Sequence, residues 1–528
     1  CNCCKAYHCT YRCRIFIVQH GFLRDFDHSG TGREEVLKKD TAMNETDLER
    51  EMQKELNAPD EKPDKKTVII LAVMLFGTFI AMLNQTVISP ALPKIMEGLG
   101  IDANQGQLLT TVFSLVTGIM VPTTAFLFGR FKIRSLFITA MGVFTAGSFL
   151  AGFANSYALL FTARILQALG VGVLMSMIQF VIMRTFPEKK RGVAMGIVGI
   201  VCAAAPAVGP VLAGIIVDKL GWNAVFLVIG PLALIDFLLA IFLMRDPEQI
   251  KPDKGMKLDF ISVLLSVVGF GGPLYCFSNA TLLGWTNPLV LGSLIIGVVC
   301  LILFALRQIK APKPFLSLKV LGYRDFTISM IIGLILNAAL LALMTILPIY
   351  MQTIRDFSAL YTGAMMVPGA LIMALFSPIA GKIYDKSGPR MLTLVGLAIF
   401  TATIVGFAMM NLSTGFPYIC AMYTLWMFSL ALLIMPLTTW GLNALPPELM
   451  AHGTALYNTI KTIAGALGTA ILVLIMTAVT AGSAAPDTAE AAMSGVRTSF
   501  IVSVVIAVFA LALGVLFVRR QKEKQAAG

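Results

Sequence analysis

VPTTAFLFGRFKIR at residues 121–134 and SPIAGKIYDKSGPR at residues 377–390 are the two stretches on which the fold turns. Each leaves an apolar run through a proline, crosses a short polar turn and ends on an arginine that opens the next apolar run. Pro122 stands against Pro378 and Arg134 against Arg390, and the same displacement sets Gly209 against Gly465. The chain therefore repeats itself as two halves in parallel orientation.

Outward from these stretches, apolar runs lie near 67–89, 106–128, 135–154, 158–182, 193–217, 224–244, 259–277, 288–306, 326–350, 362–380, 391–410, 417–440, 454–479 and 497–518. An α-helix needs about 20 residues to cross a bilayer. Closed barrels are the only other backbone that spans lipid, and these runs are too long and too evenly apolar for barrel strands. The reading is an all-α polytopic membrane protein with fourteen transmembrane helices, arranged 6+2+6. Its parts are a charged head at 1–66, a six-helix bundle at 67–244, a linker with spans 7 and 8 at 245–325, a second bundle at 326–518 and a basic tail at 519–528. Duplicated halves around a midplane cavity are a transporter architecture.

Composition and charge agree. Of 528 residues, 57% are hydrophobic and 13% charged, against about 25% charged in a soluble domain. A secreted disulfide protein, a disordered chain and a soluble nucleic-acid binder are excluded. The head is nearly charge-balanced, so the formal charge of +12 belongs to the rest of the chain. With the head inside, the even loops carry clusters such as Arg130, Lys132 and Arg134, or Lys382, Lys386 and Arg390. The odd loops hold only Lys94, Lys219, Arg355 and Arg497. This bias places both termini in the cytoplasm.

Five of the nine cysteines crowd residues 1–13. Their spacing fits no standard zinc pairing, so no metal site is expected. Met43 opens an ordinary charged cytosolic segment, and residues 1–42 are expected to be translated upstream sequence or an addition. His452 is the only histidine after residue 28, and no nucleophile or metal constellation accompanies it. No GK[ST] phosphate loop occurs, which argues against ATP as the energy source.

Three stretches, one a loop and two within spans, carry chemistry. GKIYDKSGPR at 381–390 has Gly381 and Gly388 for a tight turn, and Asp385 to pair with a cation or cap a helix N-terminus. This reads as a conformational latch, though its basic residues also hold the loop inside. In the fourth span, Arg164 lies within the membrane with Gln167 one turn on. It is either part of a proton or substrate path or an anchor on backbone carbonyls. In the fifth span, Pro206, Gly209, Pro210 and Gly214 suit a bending, closely packed helix.

On these stretches the chain resembles the 14-span drug:proton antiporter branch of the major facilitator superfamily, and in particular its lincomycin-resistance type of bacterial exporter. GKIYDKSGPR at 381–390, ARILQALGVG at 163–172, GPVLAG at 209–214, GWNAVF at 221–226, LNQTVISPALP at 83–93 and HGTALYNTIKTIAGALGTA at 452–470 carry the likeness. It covers residues 67–520. The resemblance implies that Arg164 takes part in proton coupling and that Pro206, Gly209, Pro210 and Gly214 form the antiporter motif. It further implies that Gly381, Asp385, Lys386, Gly388 and Arg390 form the latch of the second half, with Arg130 and Arg134 in its first-half counterpart. Two departures stand out. Gly129 replaces the usual acid of the first-half latch, and Asn84 stands where many relatives carry Asp.

Asn84 cannot release a proton, so Asp236, alone in the sixth span, is the candidate coupling acid. A lone carboxylate at that depth favours its neutral form, and a cation beside it, whether Arg164 or the substrate, favours ionisation. The alternative is a neutral Asp hydrogen-bonded to a neighbouring helix. Asn84, Gln85, Gln167, Gln179, Asn337, Asn458 and Lys461 are expected to line the cavity. The expected activity is proton-coupled efflux of amphipathic drugs, multidrug or lincosamide-type, across the bacterial cytoplasmic membrane. The proton gradient supplies the energy, with no other cofactor, no nucleic-acid partner and a monomeric protein. Export of an endogenous, anionic metabolite is the second reading, and a non-transporting sensor or scaffold the third.

Overall fold

The computed structural model describes residues 65–518, apart from residues 102, 248–249, 251–258, 285, 312–313, 315, 358 and 484–487. The cysteine-rich head and the basic tail, with the readings placed on them, lie outside the described residues.

Helices account for almost all of the described chain. The first half contains α1 (Lys65–Thr86), α2 (Ile88–Leu99), α3 (Ala103–Arg130), α4 (Ile133–Gly152), α5 (Tyr157–Thr185), α6 (Arg191–Leu220) and α7 (Trp222–Leu243). The middle pair is α8 (Phe260–Leu283) and α9 (Pro288–Lys310). The second half contains α10 (Arg324–Ile349), α11 (Ala359–Ser387), α12 (Pro389–Ala408), α13 (Phe416–Asn443), α14 (Met450–Ala481) and α15 (Ala489–Phe517). Among the described residues, 13 helices are long and apolar enough to cross a membrane. The remaining expected span, 193–217, falls in the 30-residue helix α6.

Lipid contact explains the surface. The span Pro288–Lys310 has a mean hydropathy of 3.0, yet only 17% of it is buried. Leu289, Ile296, Ile302 and Ile309 are each more than half exposed along it. Apolar side chains in that number face hydrocarbon, not water.

The turns are tight where the chain must reverse within the membrane's edge. Gly221 alone separates α6 from α7 with φ 83, and Gly388 alone separates α11 from α12 with φ 75. Only glycine takes that backbone without strain. Elsewhere Ser156, Asn287 and Thr488 cap α5, α9 and α15 with side-chain oxygens.

One helix departs from the sequence reading, which places a loop after the first span. The chain instead turns at Val87 into α2, despite Pro93 inside it. Ile88, Ala91 and Ile95 recur at helical spacing and are buried, while Lys94 and Glu97 pair at 2.7 Å on its exposed side. An amphipathic face packed on α6 and α3 outweighs the proline.

α1 and α3–α7 pack as one bundle, and α10–α15 as another. The halves meet chiefly where α6 lies on α11 and where α3 lies on α14. The pair α8–α9 leans on α3 and α14 at this seam through α8. Its ends are tied by Arg307, whose Nε and guanidinium nitrogen donate to Asp259 at 2.7 and 2.9 Å. Arg307 holds the Asp259 carboxyl well below the usual carboxylate range.

Candidate functional site

The seam between the halves is closed at one end. One apolar cluster spans most of the first bundle and continues into Phe326, Met330, Met435, Leu442 and Met450 of the second. These residues stand at the start of α10, in the last turns of α13 and at the start of α14. That is the end bearing the basic loops, which the charge bias assigns to the cytoplasm.

Small residues allow this approach. Gly192 and Gly196 of α6 face Gly381 and Ser377 of α11. A Cβ at Gly192 would fall 2.5 Å from the Gly381 carbonyl oxygen, and one at Gly196 2.5 Å from that of Ser377. The small-xxx-small spacing on both helices lets their backbones touch. The sequence reading passed over Gly192 and Gly196, although their spacing in RGVAMGIVG is the signal for such contact.

Polar bonds complete the closure. Asp385, half-buried at the end of α11, accepts from the backbone N–H of Gly192 at 2.8 Å and of Val193 at 2.9 Å. These are free amides of the first turn of α6, where the helix dipole also favours a carboxylate. Arg191 donates to Asn443 of α13 at 2.6 Å. Asn458 of α14 donates to Gln179 of α5 at 2.9 Å. Gly388 supplies the turn, Lys386 is exposed, and Arg390 enters the first turn of α12.

The first-half counterpart is built differently. Arg134 donates its backbone N–H to Asp246 at 3.1 Å and its guanidinium to the Ile241 carbonyl at 2.7 Å. Lys132 lies 3.7 Å from Asp246. These bonds tie α4 to the end of α7, inside one half. Arg130 closes α3. Asp246, just past the sixth span, is the acid that Arg134 and Lys132 bind.

Toward the other end α6 leaves α11. It stays helical across Pro206 and Pro210. A Cβ on Gly209 would meet Thr86 of α1, whose hydroxyl reaches the Ala205 carbonyl at 3.3 Å. Gly214 has open space beside it, and Val208, Leu212 and Ile215 are exposed. The close contact of this helix thus passes from the second half, near its start, to α1 beyond its middle.

Arg164 is 1% exposed. Its Nε donates to the Leu109 carbonyl at 3.4 Å, and a terminal nitrogen to Gln167 at 3.0 Å. The guanidinium lies 4.1 Å from the centre of the Phe113 ring. Asn84 also donates to Gln167, at 3.2 Å, and Gln167 donates to Ser148 at 3.3 Å. The arginine is thus bound by neutral groups of α3 and α5, and Gln167 links it onward to α1 and α4.

Asp236 is fully buried between α1 and α4, and neither carboxyl oxygen has a hydrogen-bond partner. Gly77 of α1 makes the space, since a Cβ there would meet Asp236 Oδ2, Phe137 and Met141. The structure does not bring Asp236 and Arg164 into an ion pair.

The expected cavity residues separate. Asn84 and Gln167 belong to the Arg164 cluster inside the first half. Gln179 and Asn458 bridge the halves. Asn337 of α10 donates to the Lys461 carbonyl at 2.7 Å within the second. Lys461 lies near Cys202 of α6 across the seam. Gln85 is exposed. A cavity of about 270 Å³, lined by Leu334, Ala338, Phe400, Ile463, Leu467 and Ser503, lies among α10, α12, α14 and α15 and includes none of these residues.

Comparison with known proteins places this geometry. Residues 74–469 match the model of the Major Facilitator Superfamily. The uncharacterized transporter YcnB of Bacillus subtilis is 42% identical over 463 residues, covering 88% of this chain and 97% of that protein. The lincomycin resistance protein LmrB of the same organism is 35% identical, covering 87% of this chain and 97% of its own. The crystal structure of the human organic anion transporter MFSD10 shares the fold, with a TM-score of 0.59 at 14% identity, over 84% of this chain and 100% of that one. Two bundles that meet along a seam, each built on a copy of the same motif, are thus explained: the chain belongs to the Major Facilitator Superfamily and is a multi-pass transporter of the cell membrane.

Proposed function

We propose that this transporter exports amphipathic small molecules, of multidrug or lincosamide type, in exchange for protons by alternating access. The observation that carries the reading is the closure of the seam at its basic end. Two rigid halves locked by Asp385 and the glycine contact at the basic end can rock about the substrate once that lock is released. Similarity to the lincomycin resistance protein supports the substrate class. A chain with 28 Met and 34 Phe has the deformable apolar side chains that varied ligands require.

Asp236 is the proton carrier in this reading. Buried without a partner, its carboxyl is stable when neutral and costly when charged. It takes a proton in the state closed at the basic end, while substrate leaves. It gives the proton to the cytoplasm in the opposite state, while substrate enters. Arg164 holds the neighbouring helices around the cation it cannot discharge.

The second reading, export of an endogenous anion, draws on one observation. Arg164 is buried among neutral groups, and its contacts at Leu109, Gln167 and Phe113 include no carboxylate.

Proteoliposomes with an imposed pH gradient and an internal pH-sensitive dye test both. Lincomycin, a quaternary ammonium dye and an anionic metabolite are added in turn. Gradient collapse on a drug, lost in Asp236→Asn, is the expected result. Full pH-driven transport by Asp236→Asn would remove Asp236 from the mechanism. A response to the anion alone would favour the second reading.

A further inference from the structure

Buried polar atoms almost always find a partner, so those that do not call for an explanation. Four such atoms fall in one stretch of the first bundle: both carboxyl oxygens of Asp236, the hydroxyl of Thr145 and the amide oxygen of Asn84. Thr145 is 6% exposed, and Asn84 and Asp236 are 0% exposed.

Their placement follows from the helices. Gly142 faces Phe237, and Gly230 faces Phe149, which fixes the antiparallel register of α4 and α7. In that register Thr145 stands opposite Leu234, about 3 Å farther from the basic end than Asp236. It lies one turn beyond Met141, which packs on Gly77 beside the carboxyl, and just short of Ser148, which accepts from Gln167. On α1, Asn84 stands two turns beyond Gly77, about 10 Å along the axis. Thr145 is therefore set between the Asp236 carboxyl and the Asn84–Gln167–Arg164 cluster.

Its hydroxyl is also unlike its neighbours. Thr78 donates to the Met74 carbonyl at 2.7 Å and Ser148 to Phe144 at 2.8 Å, each within its own helix. Thr145 makes no such bond. A free hydroxyl beside a carboxyl, with a free amide oxygen at the near edge of the polar cluster beyond it, is a set of groups that buried water binds.

We propose that Asp236 takes up its proton along a hydrated track inside the first half, through Asn84 and Thr145, and not through the seam that carries substrate. This rests on reading Asp236 as the proton carrier. The step is proton transfer alone: an O–H bond of a protonated water breaks as the carboxyl O–H forms, and the carboxyl gives that proton to the cytoplasm in the opposite state. Charged groups on the surrounding helices lie away from the carboxyl. α1 has Lys65 and Lys66 at its start, α4 has Arg134 at its start, α5 has Arg164 and Arg184, α6 has Arg191, Asp218 and Lys219 near its ends, and α7 has no other. The one cation at the far end of the track is Arg164, joined to Asn84 through Gln167.

The test uses the full chain in proteoliposomes, with lincomycin as the probe, and follows both drug-driven proton flux and equilibrium drug binding. Thr145→Val keeps the shape and removes the hydroxyl. Flux should fall about tenfold, the effect of losing one hydrogen-bonding group on a barrier, with binding unchanged. Thr145→Ser should restore it. Asn84→Leu probes the same track from α1 and should slow flux similarly. Wild-type flux in both Thr145→Val and Asn84→Leu, with Asp236→Asn uncoupled, would overturn the track and leave the carrier intact. Equal losses of binding in Thr145→Val and Thr145→Ser would make the residue a packing element and also overturn it. Coupled transport by Asp236→Asn would remove the carrier itself.

Discussion

Removing the Asp385 carboxylate should open the basic end of the seam. The carboxyl accepts two backbone bonds, at 2.8 and 2.9 Å, from the first turn of α6. A hydrogen bond to a charged group is worth about 1.5–3 kcal/mol when water is excluded, and a helix N-terminus adds roughly 0.3–1 kcal/mol. Asp385 is only half-buried, and water can reach the amides it leaves behind, so the net loss in Asp385→Ala is about 2 kcal/mol. That shifts the balance between closed and open forms roughly thirtyfold toward open. Asp385→Asn keeps one acceptor and should shift it about fivefold. Spin labels on Lys189→Cys and Lys382→Cys, exposed positions flanking the contact, report the separation directly in a cysteine-free background. The closed-distance population should shrink in the order wild type, Asn, Ala. An unchanged distance distribution in a monodisperse Asp385→Ala protein would refute the reasoning, because the glycine contact alone would then hold the halves.

Gly381→Ala should act at the same place by steric means, since its Cβ would meet the Gly192 carbonyl; transport should fall while expression holds, and the same label pair should report opening. Arg164→Lys should lose transport at least tenfold despite keeping the charge, because an ammonium cannot reproduce the bonds to Leu109 and Gln167 together with the stacking on Phe113; wild-type flux would reduce Arg164 to a structural anchor. Asp246→Ala should lower the melting temperature, by loosening α4 from α7, without changing the label distances across the seam. The Asp259 carboxyl is held low by Arg307, so this pair's contribution is complete at neutral pH and fades only on acidification below the ordinary carboxylate range; between about pH 6 and 8 thermal stability should be independent of pH in both wild type and Asp259→Asn, with the variant lower by a constant margin.

Much of the architecture was legible because lipid imposes a simple rule. A span must satisfy its own backbone and present apolar side chains for about 20 residues, and that pattern is local. The same holds for Gly388, where a one-residue turn demands a positive φ, and for the duplicated motif around it. α2 was not legible as a helix, because its prolines read as a loop and only its packing on α6 and α3 uses the apolar face of Ile88, Ala91 and Ile95. The Asp246 bond to α4 was hidden for a related reason: it joins residues far apart in the chain.

By itself the sequence determined that this is a duplicated helical membrane transporter, which end of it carries the basic loops, and which few ionisable residues lie within the spans. Those are properties of composition and period, fixed residue by residue by the cost of exposing polar groups to hydrocarbon. Only the tertiary structure decided which of those residues meet. It set Asp385 on the amides of α6, gave Arg164 a ring and neutral partners in place of a carboxylate, and left Asp236 against Gly77 with no partner. Helix rotation and register, which the packing of small residues controls, move a side chain from one neighbour to another without changing the hydropathy of the span that bears it.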